Sequence, residues 1–141
     1  PAQLDDLGLP AAIRWNLERQ CQLAGLTARF VADDLFVWIP EAIAIACYRI
    51  SQEAITNAIK HAGAREICIR LAAGSDRLEL EIADDGRGFD AQAAPGSAGM
   101  GILSMQERAA LAGGELVIDA STGEGCTVHA SFPLQAATPS P

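Results

Sequence analysis

The chain has 141 residues, half of them hydrophobic and a fifth charged, which suits one domain with a single core. No apolar run approaches the roughly 20 residues of a membrane helix, and the first residues lack the basic, apolar, small-residue order of a signal peptide. A net charge of −8 argues against nonspecific binding to nucleic acid or anionic membrane, so a polyanionic ligand would need a local device such as Mg²⁺ or a helix N-terminus.

Residues 1–9 are too short to form a domain. From Pro10 a helix is predicted, because Ile13, Leu17, Cys21 and Ala24 recur at three- and four-residue steps and Gly25 is a natural stop. Residues 27–32 alternate weakly and read as a strand, with Asp33-Asp34 as its turn. Pro40 opens the longest helix, over 41–61, ended by Gly63. Its apolar face includes Ala42, Ile45, Ile50, Ala54, Ile55 and Ala58, while Glu53, Asn57 and Lys60 or His61 share a second face.

Two strands follow, 66–72 and 77–83, joined by Gly74-Ser75-Asp76 as a hairpin. Residues 86–99 are rich in Gly, Ala, Ser and Pro, lack periodicity and are expected to be a mobile loop. A helix is expected from Met100 or Gly101 to Leu111, closed by Gly113-Gly114. Strands at 115–119 and 126–132 make a second hairpin, and 135–141 is expected to be a disordered tail. The mixture implies an α/β (α+β) two-layer sandwich, with helices on one face of a mixed, mostly antiparallel sheet. No C-x-x-C pair occurs among Cys21, Cys47, Cys68 and Cys126, so these read as buried reduced thiols rather than a zinc site.

Three segments carry candidate chemistry. Asp84-Asp85-Gly86-Arg87-Gly88-Phe89 sets a carboxylate at a strand end beside two glycines that let a backbone approach a ligand closely. Asp84 could accept from an exocyclic amine such as a purine 6-amino group, or it could bond its own backbone as an ordinary turn Asp. Glu53 and Asn57, one helical turn apart, offer hard oxygen ligands that suit Mg²⁺, or they form a solvated helix face. Gly99-Met100-Gly101 opens a helix whose free N–H groups could bind an anion, or it is a flexible hinge.

The order and spacing of 52–61, 84–89 and 99–108 resemble the N, G1 and G2 boxes of the ATP-binding domain of sensor histidine kinases, in the gyrase/Hsp90/histidine kinase/MutL superfamily. The resemblance spans about 4–134 and implies the Bergerat ATP-binding fold. The phrase from Gly99 to Arg108, the short lid and the opening Leu4-Asp5-Asp6-Leu7-Gly8-Leu9 resemble the nitrate/nitrite-sensor subgroup. By that resemblance, residues 1–9 end the junction with the dimerisation helices, 10–134 form the ATP-binding catalytic domain, and 86–99 are the ATP lid. Asp84 would bind the adenine amino group, with Gly86 and Gly88 passing close to the purine and Thr127 beside it. Glu53 and Asn57 would be catalytic and hold Mg²⁺, Lys60 and His61 would face the phosphates, and Gly99, Met100 and Gly101 would cradle them. Arg108 reads as structural or as a partner contact, and Gln106 stands where the family phrase has Arg.

The resemblance further implies a cytoplasmic module whose γ-phosphoryl passes to a His on an upstream dimerisation helix, and then to a response regulator. Neither His61 nor His129 matches that acceptor, so this chain is expected to bind ATP as a monomer without autophosphorylating, its parent being a homodimer. The alternatives are another superfamily ATPase, an anti-sigma-type Ser/Thr kinase, or a non-catalytic nucleotide-sensing module.

Overall fold

The computed structural model describes residues 2–33, 38–61, 63–87, 96–120 and 125–134. Helix α1 (Ala2–Leu7) precedes α2 (Leu9–Ala24), β1 (Thr27–Ala32) and α3 (Glu41–Lys60). Strands β2 (Glu66–Ala73) and β3 (Arg77–Asp84) lead to α4 (Gly96–Leu111), then β4 (Glu115–Ala120) and β5 (Cys126–Pro133). The sheet order is β1-β2-β3-β5-β4; only β1 and β2 run parallel, as the α3 crossover between them requires. The mixed, mostly antiparallel sheet under helices is the fold expected from the sequence.

Alternation along the strands sorts the two faces of the sheet. Ile67, Ile69, Leu71, Leu78, Leu80, Ile82, Val128, Ala130 and Phe132 turn inward and are almost fully buried. Each such large side chain contributes about 1.5–3 kcal/mol relative to leaving it exposed. On the other face stand Arg70, Glu79 and His129, with a 3.9 Å ion pair between Glu79 and His129. Helix α3 is central, packing on α2, α4, β3 and β5. Its Tyr48, Ile50 and Ile55 are buried in the core.

Two expectations change. Residues 2–7, assigned no element from sequence, form a helix that seats Leu4 against the core. The helix expected from Met100 or Gly101 begins at Gly96, so 96–99 are its first turn and not loop. Small residues concealed that start, since Gly96, Ser97, Ala98 and Gly99 supply no apolar period to read. The remainder of the expected lid, 88–95 with Gly88 and Phe89, and the tail at 135–141 lie outside the described residues.

Candidate functional site

β3 is a central strand, and its last residue, Asp84, pairs in register with Cys126, the first residue of β5. This puts the Asp84 carboxylate at the rim of the sheet, under α3 and α4. One carboxylate oxygen, Oδ1, accepts from the Gly86 N–H at 2.8 Å. The turn-Asp bond is therefore present, and it occupies only one of the two oxygens. Burial pushes the Asp84 carboxyl above its ordinary pKa, the Gly86 N–H pulls it down, and the neighbouring Asp85 charge raises it again. Asp85 has the opposite balance. Its Oδ1 accepts from Glu66 N at 2.9 Å and Arg65 N at 2.8 Å, which holds its pKa below the ordinary value. Asp85 thus pins the turn to the start of β2 and leaves the cavity to Asp84.

Asn57 of α3 and Asp84 line one cavity, with Ala54, Ile82, Met105, Cys126 and Val128. The lining leaves about 10 Å³, room for one water. A polar acceptor inside an otherwise apolar slot is how proteins orient a flat heteroaromatic ring. Asn57 is 7% exposed. A Cβ placed on Gly101 would collide with Glu53 Oε1, and would lie 3.1 Å from Glu53 Cδ and 3.4 Å from Asn57 Nδ2. The absent side chain is what brings α4 close to the Glu53–Asn57 face, so these three residues meet as the sequence suggests.

The other predicted residues are less tightly gathered. Lys60 is exposed in the last turn of α3, and the His61 N–H caps that helix on Asn57 O at 2.9 Å. Gly86 is buried in the turn. Gly99 sits inside α4, and Met100 is 74% exposed. Because α4 starts at Gly96, its free first-turn N–H groups belong to 96–98 and not to the Gly99-Met100-Gly101 step.

Thr127 is corrected. Cys126 and Val128 face the cavity, so strand alternation sends Thr127 to the opposite face with His129. The cavity-side group is the Cys126 thiol, whose pKa burial pushes up to about 11, with Asp84 and Asp119 adding to the shift. The sequence carried the signal: two-residue alternation backwards from buried Phe132, Ala130 and Val128 selects 126, not 127. Gly125 has φ 84°, and a Cβ there would strike the Asp84 carbonyl oxygen. Only glycine lets β5 start so close to Asp84.

The α+β domain thus sets a half-buried carboxylate at a sheet rim, beside a Glu/Asn helix face and a glycine-bearing helix. The family described as histidine kinase-, DNA gyrase B-, and HSP90-like ATPase matches residues 42–136, and the chain belongs to it. Sensor histidine kinase MctS of Rhizobium johnstonii is 33% identical over 141 residues, covering 99% of this chain and 30% of that protein. Sensor histidine kinase LnrJ of Bacillus subtilis is 36% identical over 130 residues, covering 92% of this chain and 32% of that protein. The chain therefore spans about a third of the length of these curated relatives. A histidine kinase domain from the Erythrobacter litoralis EL346 blue-light activated histidine kinase superposes with TM-score 0.73 at 21% identity, covering 94% of this chain and 69% of that one, and shares the fold. No helix among the described residues is long and apolar enough to cross a membrane.

Proposed function

We propose that this chain is the ATP-binding catalytic domain of a cytoplasmic part of a sensor histidine kinase, of the nitrate/nitrite-sensor type. The observation that carries the reading is the Asp84 carboxylate, which offers one oxygen to an apolar slot that Asn57 also lines. The adenine 6-amino group is the donor matched to that oxygen. The triphosphate would then run past Asn57 and Glu53 towards α4, within reach of Lys60 and His61. Among the described residues no group of three or more His, Cys, Asp or Glu side chains could hold a metal ion. That suits Mg²⁺ carried by the nucleotide, which takes one or two protein oxygens and fills its shell from phosphates and water. Glu53 and Asn57 would be those ligands, and the ion would offset charge on the phosphates.

In the parent kinase, a His nitrogen from a dimerisation helix attacks the γ-phosphorus. The N–P bond forms as the bond to the β,γ-bridging oxygen breaks, and ADP leaves. A response regulator Asp then receives the phosphoryl group. The domain contributes positioning and charge neutralisation, which make up most of the catalysis that phosphoryl transfer needs. The chain itself is expected to be monomeric, inside a homodimeric parent. Calorimetric titration with a non-hydrolysable ATP analogue, with and without Mg²⁺, tests the reading. Binding strengthened by Mg²⁺ and weak binding of the GTP analogue are expected. Absence of binding up to millimolar ligand would sink it.

A further inference from the structure

The slot shared by Asp84 and Asn57 offers polar groups to a ligand but leaves no room for one. Asn57 is 7% exposed, and its side chain makes no hydrogen bond among the described residues. One Asp84 carboxylate oxygen is likewise left over from the Gly86 bond. Yet the cavity measures about 10 Å³, against roughly 300 Å³ or more for an ordinary small-molecule pocket. A side chain therefore stands where a purine ring would lie.

Most of the lining is unable to leave. Ile82 and Val128 are register partners on the adjacent strands β3 and β5, and β-branching stiffens both. Ala54 has no side-chain torsion to turn. Cys126 has one, and its backbone is paired to Asp84 across the sheet. Met105 differs. It enters from α4, is 1% exposed, and is the only long unbranched side chain among the described lining residues. Its rotatable bonds let it change shape without moving the helix. Helical side chains lean towards the N-terminus, over the residues three and four before them. Four before Met105 is Gly101, which has no side chain to block the sweep. A thioether also packs well against an aromatic ring, so a displaced Met105 keeps a partner.

We propose, on the ATP-binding reading of this cavity, that Met105 fills the purine's place in the free chain and swings aside to admit it. Met105 is then the gate of the site. It touches the base and takes no part in phosphoryl transfer. Apparent affinity equals intrinsic affinity scaled by the fraction of chains whose gate is open. Shortening residue 105 relieves that loss, and stiffening it adds to it.

The test titrates a non-hydrolysable ATP analogue into wild type, Met105→Ala and Met105→Leu, with association rates by stopped flow and thermal melts to show which variants are folded. Met105→Ala should bind at least about threefold tighter and associate faster. Met105→Leu, similar in volume but less flexible, should bind about threefold weaker. A second measurement needs no core variant. The chain has two methionines, Met100 and Met105, so methyl-¹³C labelling gives two signals, and exposed Met100→Leu assigns them. On saturation with the analogue, the Met105 methyl carbon should move to the position of a different side-chain rotamer. Unchanged or weaker binding by folded Met105→Ala overturns the proposal, and so does a Met105 methyl that keeps its rotamer in the saturated wild type. Binding by Met105→Ala where wild type binds nothing supports the gate. If neither binds, the ATP-binding reading falls and the gate with it.

Discussion

Asp84→Asn separates the role of the carboxylate from its role in the turn. Because Oδ1 already accepts from the Gly86 N–H, the asparagine must put its carbonyl oxygen there and turn its NH₂ into the cavity. The turn bond survives. The cavity loses a charged acceptor and gains a donor facing the adenine amino group. One hydrogen bond to a charged group is worth about 1.5–3 kcal/mol, or roughly ten- to a hundredfold in affinity, and the opposed donors push the loss to the upper end. Folding should not suffer, since burial disfavours the ionised Asp84 and an amide escapes that penalty. Titration of ATP analogue into both proteins, with thermal melts alongside, measures the two effects separately. The GTP analogue should gain relative to ATP in the variant, because the new NH₂ faces the 6-oxo group of guanine. Acidification adds a further check. The ligand needs the anion, so wild-type affinity is full above the raised pKa of Asp84 and falls as pH drops through it. The variant should show no such step. Equal ATP affinity in wild type and Asp84→Asn would refute the reasoning.

Gly101→Ala should change stability by no more than about 1 kcal/mol, since alanine favours the helix and the obstructing atom is the mobile end of Glu53. Its ATP affinity in Mg²⁺ should nevertheless fall at least about tenfold, the displaced Glu53 being the cause; unchanged calorimetric affinity would contradict that. Gly125→Ala meets backbone instead of a flexible tip and needs φ 84°, so a loss of about 1–3 kcal/mol and a Tm lower by about 3–10 °C are expected in a thermal melt. Asp85→Ala should cost about 1 kcal/mol at neutral pH after allowance for solvent screening. With its folded pKa depressed, the stabilisation from Asp85 is present above the unfolded value of about 3.9 and lost as pH falls through the folded value, so urea melts of the two proteins should converge in acid.

Where periodicity was strong, the sequence was readable. The 20 residues of α3 carry a continuous apolar stripe bounded by Pro40 and Gly63, and the structure bounds the helix within one residue of that reading. The β2–β3 hairpin announced itself by alternation around Gly74-Ser75-Asp76. The failures have local causes. Leu4 alone makes α1 worth forming, and one buried residue in six leaves no period. The first turn of α4 is built of small residues that give no apolar period, so it looks like loop. The resemblance puts Thr127 beside the purine, whereas the parity of β5 assigns the cavity to Cys126. Pairing motifs in a sequence reveals which segments meet. Which face of each segment meets the other is decided by register and helix phase.

That distinction governs how the nucleotide enters. The cavity between Asp84 and Asn57 has room for about one water, and its walls are Ile82, Met105, Val128 and Cys126, all nearly buried. A purine fits only after part of that lining gives way. Two neighbouring parts have little freedom to yield: Asp84 is fixed by Gly86 and by its pairing to β5, and Gly125 is in contact with the Asp84 backbone. Helix α4 packs on α3, β4 and β5 and seats Ile102, Met105 and Ala109 in the core, and of these Met105 lines the cavity. Met105, unbranched and able to change rotamer, is the part of the lining best able to yield. Any free energy spent there is subtracted from ATP affinity. A partner that docked on the outer side of α4, at Arg108 and Leu111, would act on the same helix that carries Met105.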